Sequence, residues 1–238
     1  MKGLLHKHLM TIFYTKHFWF FGILFFLFHS LRAQSDFIGY WEPGIAFNYA
    51  VNKNYKHNFG IRKRSFIYTD NETELRLRQI DVSHFSNWKF NAHESVGGGV
   101  LYRFRDDFDG QSNELRLTQQ YNYAIRPAIV RFGHRIRAEQ RITTQRTIYR
   151  FRYRFAVDFP LNGEKTDVGE AYLAVANELL LSVAHKLAPE YDHRITSQIG
   201  WLLTKKMRIQ TGIEYRSENF IGDTEPVLLL LSSLVFSF

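Results

Sequence analysis

The chain has 238 residues, enough for one domain or two small ones, and 45% of them are hydrophobic and 16% aromatic, which excludes a disordered polymer. It contains no cysteine, so a disulfide scaffold, a thiolate-held zinc and a cysteine nucleophile are excluded. A mean hydropathy of −0.29 rules out a bundle of membrane-crossing helices, and the formal charge of +8 has to be divided between leader and domain before a partner is inferred from it.

The first element in chain order is a leader. Lys2, Lys7 and Lys16 precede a dense apolar run from Phe18 to Phe28, and small Ala33 stands just before Gln34 and Ser35. The run is far shorter than the ~20 apolar residues that a helix needs to span a bilayer. A positive segment, a short apolar segment and a small-residue site together read as a cleaved signal peptide over residues 1–33. The expected mature chain is residues 34–238, read as a single domain. No cysteine follows the cleavage site to carry a lipid anchor. Lys2, Lys7, Lys16 and Arg32 leave with the leader and no acid does, so the mature part carries only +4 and gives no reason to invoke nucleic acid.

Along the mature chain the hydrophobic period is two. In Tyr149-Arg150-Phe151-Arg152-Tyr153-Arg154-Phe155-Ala156-Val157-Asp158-Phe159 every odd position is aromatic or valine, while the even positions hold arginines, an alanine and an aspartate. A helix would scatter these residues round its surface, whereas a strand sends them to opposite faces. The alternation predicts strands over 36–51, 56–68, 74–85, 89–104, 115–123, 128–141, 149–159, 170–182, 194–203, 207–216 and 226–238. Short connections are expected at 52–54, 86–88, 126–127 and 204–206, and longer polar ones at 69–73, 105–113, 142–145, 184–193 and 217–225. Only 160–169 breaks the rule by being long where a short turn belongs. Alternating turns and loops describe an all-β, antiparallel up-and-down barrel with two unlike ends. The pattern gives about eleven strands; because single-chain bacterial barrels have even numbers, the expected range is about ten to twelve. Gly97-Gly98-Gly99 follows no strand-to-helix context of a phosphate loop and is read as a kink that curves a strand.

These strands are about as long as a tilted bilayer crossing requires, ~9–11 residues, rather than the 5–6 common in soluble sheets. One face is too polar for a dry core: Arg131, Arg135, Arg137 and Glu139 on one strand, then Arg150, Arg152, Arg154 and Asp158 on the next. The opposite face is aromatic, with Tyr121, Tyr123, Tyr149, Tyr153, Phe159, Trp201 and Tyr215 near strand ends, as in the interfacial girdles of membrane barrels. The expectation is therefore a transmembrane β-barrel with a wet, arginine-rich lumen and Phe151, Tyr153 and Phe155 turned to lipid. Glu114, Glu139, Asp158, Glu178 and Glu214 share the inward parity and are the expected counter-charges, since unpaired ions desolvated together repel. A paired ladder bracing a narrow bore is preferred to an anion-selective path.

The last strand, Leu230-Leu231-Ser232-Ser233-Leu234-Val235-Phe236-Ser237-Phe238, resembles the C-terminal signal of bacterial outer-membrane proteins, with Phe238 as its terminal residue. The segments Asn113–Gln120, His134–Arg141 and Phe151–Phe155 resemble an uncharacterised domain-of-unknown-function family of Gram-negative bacterial proteins expected to form outer-membrane-type barrels. The resemblance implies export to the bacterial outer membrane, contact with outer-membrane lipid and delivery by the barrel assembly machinery. It brings no established activity, so no catalytic residue is carried over, and it sets no oligomeric state.

Chemistry is sparse. The mature histidines, His57, His84, His93, His134, His185 and His193, show no helical i, i+4 metal spacing, and no cofactor or metal is expected. His84-x-Ser86 and His93-x-Ser95 each place a base and a hydroxyl on one side of a strand, with Asn87 or Asn91 to orient the base, as a lipid hydrolase would need. Asp106, Asp107 and Asp109 lie in a long loop without the full calcium-loop pattern. The principal reading is a non-enzymatic outer-membrane barrel, structural or a small pore; the alternatives are an outer-membrane lipid-modifying hydrolase and a soluble periplasmic binding barrel.

Overall fold

The computed structural model describes residues 37–238; the leader expected at 1–33 lies outside them. Eleven strands follow one another: β1 (Ile38–Ala50), β2 (Tyr55–Tyr68), β3 (Arg76–Lys89), β4 (Glu94–Phe104), β5 (Glu114–Ile125), β6 (Arg131–Ile142), β7 (Thr147–Pro160), β8 (Ala171–Ala184), β9 (Glu190–Thr204), β10 (Met207–Glu218) and β11 (Glu225–Ser237). One short helix, α1 (Asp106–Asp109), sits in the connection between β4 and β5 and stops at Gly110, whose φ of 63° is left-handed. Every strand pairs with its sequence neighbours, and β1 closes on β11, so the sheet is a complete barrel with no free edge.

The closing pair fixes the count within the expected range. In an antiparallel meander the first and last strands run the same way only when the number is odd. Here β1 and β11 pair in parallel from Ile38↔Val227 to Asn48↔Ser237. The count is eleven, inside the expected range but odd.

Connections after β2, β4, β6, β8 and β10 gather at one mouth, the loop end; those after β1, β3, β5, β7 and β9 gather at the other, the turn end. The ten-residue link 161–170 remains the long exception at the turn end. The turn expected at 86–88 is corrected: those residues belong to β3, and the chain reverses at 90–93. There the Asn91 Oδ1 accepts the backbone N–H groups of His93 (2.8 Å) and Glu94 (2.9 Å), which fixes the turn locally.

Side-chain polarity is opposite to that of a soluble barrel. Trp41, Phe47, Ile61, Ile136, Phe151, Leu179, Ile213 and Leu230 are exposed on the outer wall. The buried groups inside are largely charged, among them Glu42, Arg64, Asp81, Arg103, Glu114 and Glu139. The compact apolar core is small: Tyr40, Phe66, Val227 and Leu229 pack beside the β1–β11 seam. The Arg78 guanidinium lies 4.9 Å from the Tyr40 ring centre and that of Arg76 4.4 Å from Phe66, so cations cover the aromatic faces.

The glycine run leaves the ladders of β4 unbroken. Its pairings with β3 and β5 continue without a shift of register. A Cβ at Gly99 would come within 2.5 Å of the Phe85 ring, and one at Gly97 within 2.7 Å of the Asn87 Oδ1. The missing side chains make room for Phe85 and Asn87 inside the barrel.

Candidate functional site: the charged lumen

A cavity of about 930 Å³ runs along the bore and takes its lining from all eleven strands. Alternation explains its composition: on each strand the residue between two outward apolar groups turns inward, and in this sequence that residue is most often Arg, Glu, Asp, Asn or Gln. Arg131, Arg135, Arg137, Glu139, Arg150, Arg152, Arg154, Glu178 and Glu214 all lie on its wall. The aromatic neighbours Tyr149, Phe151 and Tyr153 are exposed on the other side of β7.

Toward the loop end the charges are paired. Asp81 accepts both forks of Arg103 at 2.7 Å. Glu114 receives Arg116 at 2.6 Å and Arg141 at 2.7 Å, while Glu42 holds Arg64 and, at 3.3 Å, Arg62. Arg152 bridges Glu139 (3.1 Å) and Glu178 (2.6 Å), and Glu214 holds Arg216 at 2.6 Å while accepting the Thr196 hydroxyl at 2.9 Å. Asp192 stands 3.7 Å from Arg150 and 3.6 Å from Arg194. Taken out of water, each of these ions is tolerable only because a partner of opposite sign and further hydrogen bonds replace its hydration. Beyond the strands, Arg105 is disfavoured as a cation by burial and by nearby Arg103 and Arg78, which lower its pKa. Its guanidinium donates to Gln79 (3.1 Å) and Gln111 (3.0 Å).

Toward the turn end the balance changes. Arg135 and Arg154 are direct cross-strand partners, and neither has a carboxylate within ion-pair distance among the described residues. Arg131 is paired, with Asp158 at 2.8 Å, but sits at the rim. Amides stand beside the pair, with Asn122 accepting from the Arg135 Nε at 3.0 Å and Gln120 accepting from Arg137 at 2.7 Å, and Lys56, Lys89 and Arg208 add further cations to this part of the wall.

Several charged groups of the ladder were not singled out from the sequence: Glu42, Asp81, Asp192, Arg64, Arg103, Arg194 and Arg216. Their parity was available on β9 and β10, where Asp192 and Arg194 stand two residues apart, as do Glu214 and Arg216. On β2 it was hidden by a bulge, which shifts the register between Arg64 and Ser65.

The hydroxyl–imidazole pairs fare differently. His84 and Ser86 share the outer wall, as expected for alternate residues. The Ser86 Oγ, however, lies 3.1 Å from the Nδ1 of His57 on β2, and the His84 Nε2 is 3.0 Å from that same atom. The Tyr55 hydroxyl donates to Ser86 at 3.2 Å. Asn87 is turned into the lumen, where it accepts from Gln120 at 3.1 Å, so it does not orient His84. His93 and Ser95 are not brought together: His93 meets the Ala124 carbonyl at 3.1 Å, and Ser95 accepts from Asn122 at 3.2 Å inside. His134 contacts the Tyr153 hydroxyl (2.8 Å) and His193 the Asn177 amide (3.0 Å). Among the described residues no group of three or more His, Asp or Glu converges as a metal site. Asp109 instead anchors its loop to β3 through Arg76 (3.2 Å) and Arg78 (3.5 Å).

A family model described as "Protein of unknown function (DUF2490)" matches residues 39–225, from β1 to the first residue of β11. No curated protein matches the chain.

Proposed function

The chain belongs to this DUF2490 family of proteins of unknown function, and from that premise we propose that it is a non-enzymatic barrel of the bacterial outer membrane, with a narrow, ion-braced lumen. The observation that carries the reading is the inverted polarity of the wall. Monomeric soluble proteins rarely expose contiguous apolar patches beyond a few hundred Å². Here large apolar side chains are exposed on all eleven strands, from Trp41 on β1 to Leu230 on β11. Aromatic groups at both rims support it: Tyr49, Trp88 and Trp201 toward the turn end, and Phe37, Phe104 and Tyr149 toward the loop end. Closure by itself satisfies every strand edge, as a lipid environment demands.

In this reading an N-terminal signal peptide exports the chain and the barrel assembly machinery receives it, with outer-membrane lipid around the wall. A soluble binding barrel would instead need an aromatic interior and an arginine-rich exterior, the reverse of the observed arrangement. The test is extraction of membranes from the producing bacterium. The protein is expected to stay in the pellet through carbonate and urea washes and to change gel mobility on boiling; recovery in the soluble fraction overturns the reading.

A second reading, hydrolysis of lipid at the outer wall, has one observation in its favour: the Ser86–His57 contact with Tyr55 alongside. Against it, the backbone around Ser86 is engaged in the β3 ladders, which leaves no pair of free backbone N–H groups there for an oxyanion among the described residues.

A further inference from the structure

The turn-end half of the lumen contains two adjacent cations that the fold does not neutralise, and we propose that they form a binding site for the oxyanion of a small polar solute, a phosphate group held by Arg135 and Arg154. The proposal rests on the lumen alone and goes beyond the membrane reading, because the bore is the same whatever surrounds the wall.

The first observation is the pairing. Arg135 and Arg154 stand directly opposite on β6 and β7, an arrangement in which like charges destabilise a sheet. The carboxylate across from Arg154 on β8 is Glu178, but its contact is with Arg152 at 2.6 Å. Arg135 spends its Nε on Asn122 at 3.0 Å, and its terminal nitrogens have no partner among the described residues. Most other arginines in this bore meet a carboxylate, as Arg152 does at 2.6 Å and Arg150 at 3.7 Å, so two facing arginines without one are a local departure.

The second observation is room. Ala124, Gly133, Ala156 and Ala176 form one continuous cross-strand row over β5 to β8, next to the arginine pair. Such small inward groups leave a cavity of about 490 Å³ whose wall includes Arg135 and Arg154. Its one carboxylate, Asp158, is already bound to Arg131 at 2.8 Å.

The third observation is a further cation. Arg208 lines the same cavity and makes no ion pair among the described residues. Three such guanidiniums on one cavity wall with a single, already paired carboxylate favour an anion that arrives from outside. Guanidinium forks match the oxygen geometry of phosphate in bidentate fashion. Gln198 and Gln210 on the same wall supply amides for hydroxyl groups of a phosphorylated solute.

The experiment is calorimetric titration of the refolded full chain in detergent with inorganic phosphate, a hexose monophosphate and the unphosphorylated hexose. Saturable binding of inorganic phosphate or of the monophosphate, with none of the neutral hexose, is expected; whichever of the two binds more tightly identifies the source of the group. Arg135→Gln and Arg154→Gln are each expected to weaken binding about tenfold or more, as loss of a charge-assisted hydrogen bond implies. Arg62→Gln, in the paired half, is expected to bind as the parent does. Arg135→Lys keeps the charge and loses the fork, so it replaces the glutamine variant if that one fails to fold, and weaker binding is again expected. No saturable binding of either phosphate, or unchanged affinity in the Arg135 and Arg154 variants, overturns the proposal. Because the titration is done in detergent, its failure is separate from failure of the membrane extraction.

Discussion

Arg152 and Glu139 contact each other diagonally across β6 and β7: Arg152 is directly opposite Arg137 and Glu139 directly opposite Arg150, yet the Arg152 Nη1 reaches the Glu139 Oε1 at 3.1 Å. The same guanidinium reaches Glu178 on the other side at 2.6 Å. One cation therefore ties three strands together. Arg152→Leu, which strips two buried carboxylates of their shared partner, is expected to cost about 3–5 kcal/mol in urea unfolding. Glu139→Gln should cost less, because Arg152 keeps Glu178. Arg152→Leu combined with Glu178→Leu should recover part of the loss; a double variant no more stable than the single one argues against the pairing as the cause.

Phe151 is 51% exposed on the outer wall, whereas the side chain of its neighbour Arg152 is 14% exposed inside. If lipid surrounds the barrel, Phe151→Arg is expected to cost ~2–4 kcal/mol and impair insertion, and Phe151→Leu to be tolerated. Single cysteines give an independent readout in reconstituted vesicles. A membrane-impermeant thiol reagent should label position 152 and spare 153; equal labelling contradicts the assignment.

Phe238 adds two backbone hydrogen bonds to the closing seam, its N–H to the Asn48 carbonyl at 2.8 Å and its carbonyl from the Ala50 N–H at 3.0 Å. Deleting it is expected to reduce the yield of heat-modifiable barrel more than trimming the exposed loop at 219–224. Phe238→Ala keeps both backbone bonds and separates the two contributions. A yield restored by alanine assigns the effect to the seam, and a yield still low assigns it to recognition of the aromatic group during assembly.

Ser86, His57 and Tyr55 invite an assay for fatty-acid release from phospholipid in mixed micelles, with and without calcium. None is expected from the parent protein, and Ser86→Ala and His57→Ala are expected to be indistinguishable from it. Release that disappears in both variants would replace the non-enzymatic reading with the hydrolytic one.

Period two made the architecture legible, because each strand is long enough for its alternation to stand out against chance. β7 is the clearest case: eleven consecutive residues keep their parity, and the structure keeps it too. Legibility failed where local chemistry imitates something else. Ser86-Asn87 has the composition of a turn, but Asn87 is satisfied inside the barrel by Gln120, so the strand runs on to Lys89. Charge partners were harder still. Which carboxylate meets which arginine depends on neighbours in space: Arg103 joins Asp81 from 22 residues away and Arg141 joins Glu114 from 27. The Ser86–His57 contact is of the same kind, crossing from β3 to β2 over 29 residues. A spacing rule within one strand offered His84 instead.

The parallel seam has a consequence for sidedness. Ten of the eleven strands form five hairpins, and a hairpin returns the chain to the side it left. The unpaired strand does not, so the start of β1 emerges at the loop mouth and the end of β11 at the turn mouth. In any bilayer such a barrel spans, labels attached just before Phe37 and just after Phe238 would report opposite compartments, and a protease confined to one side would remove one label only.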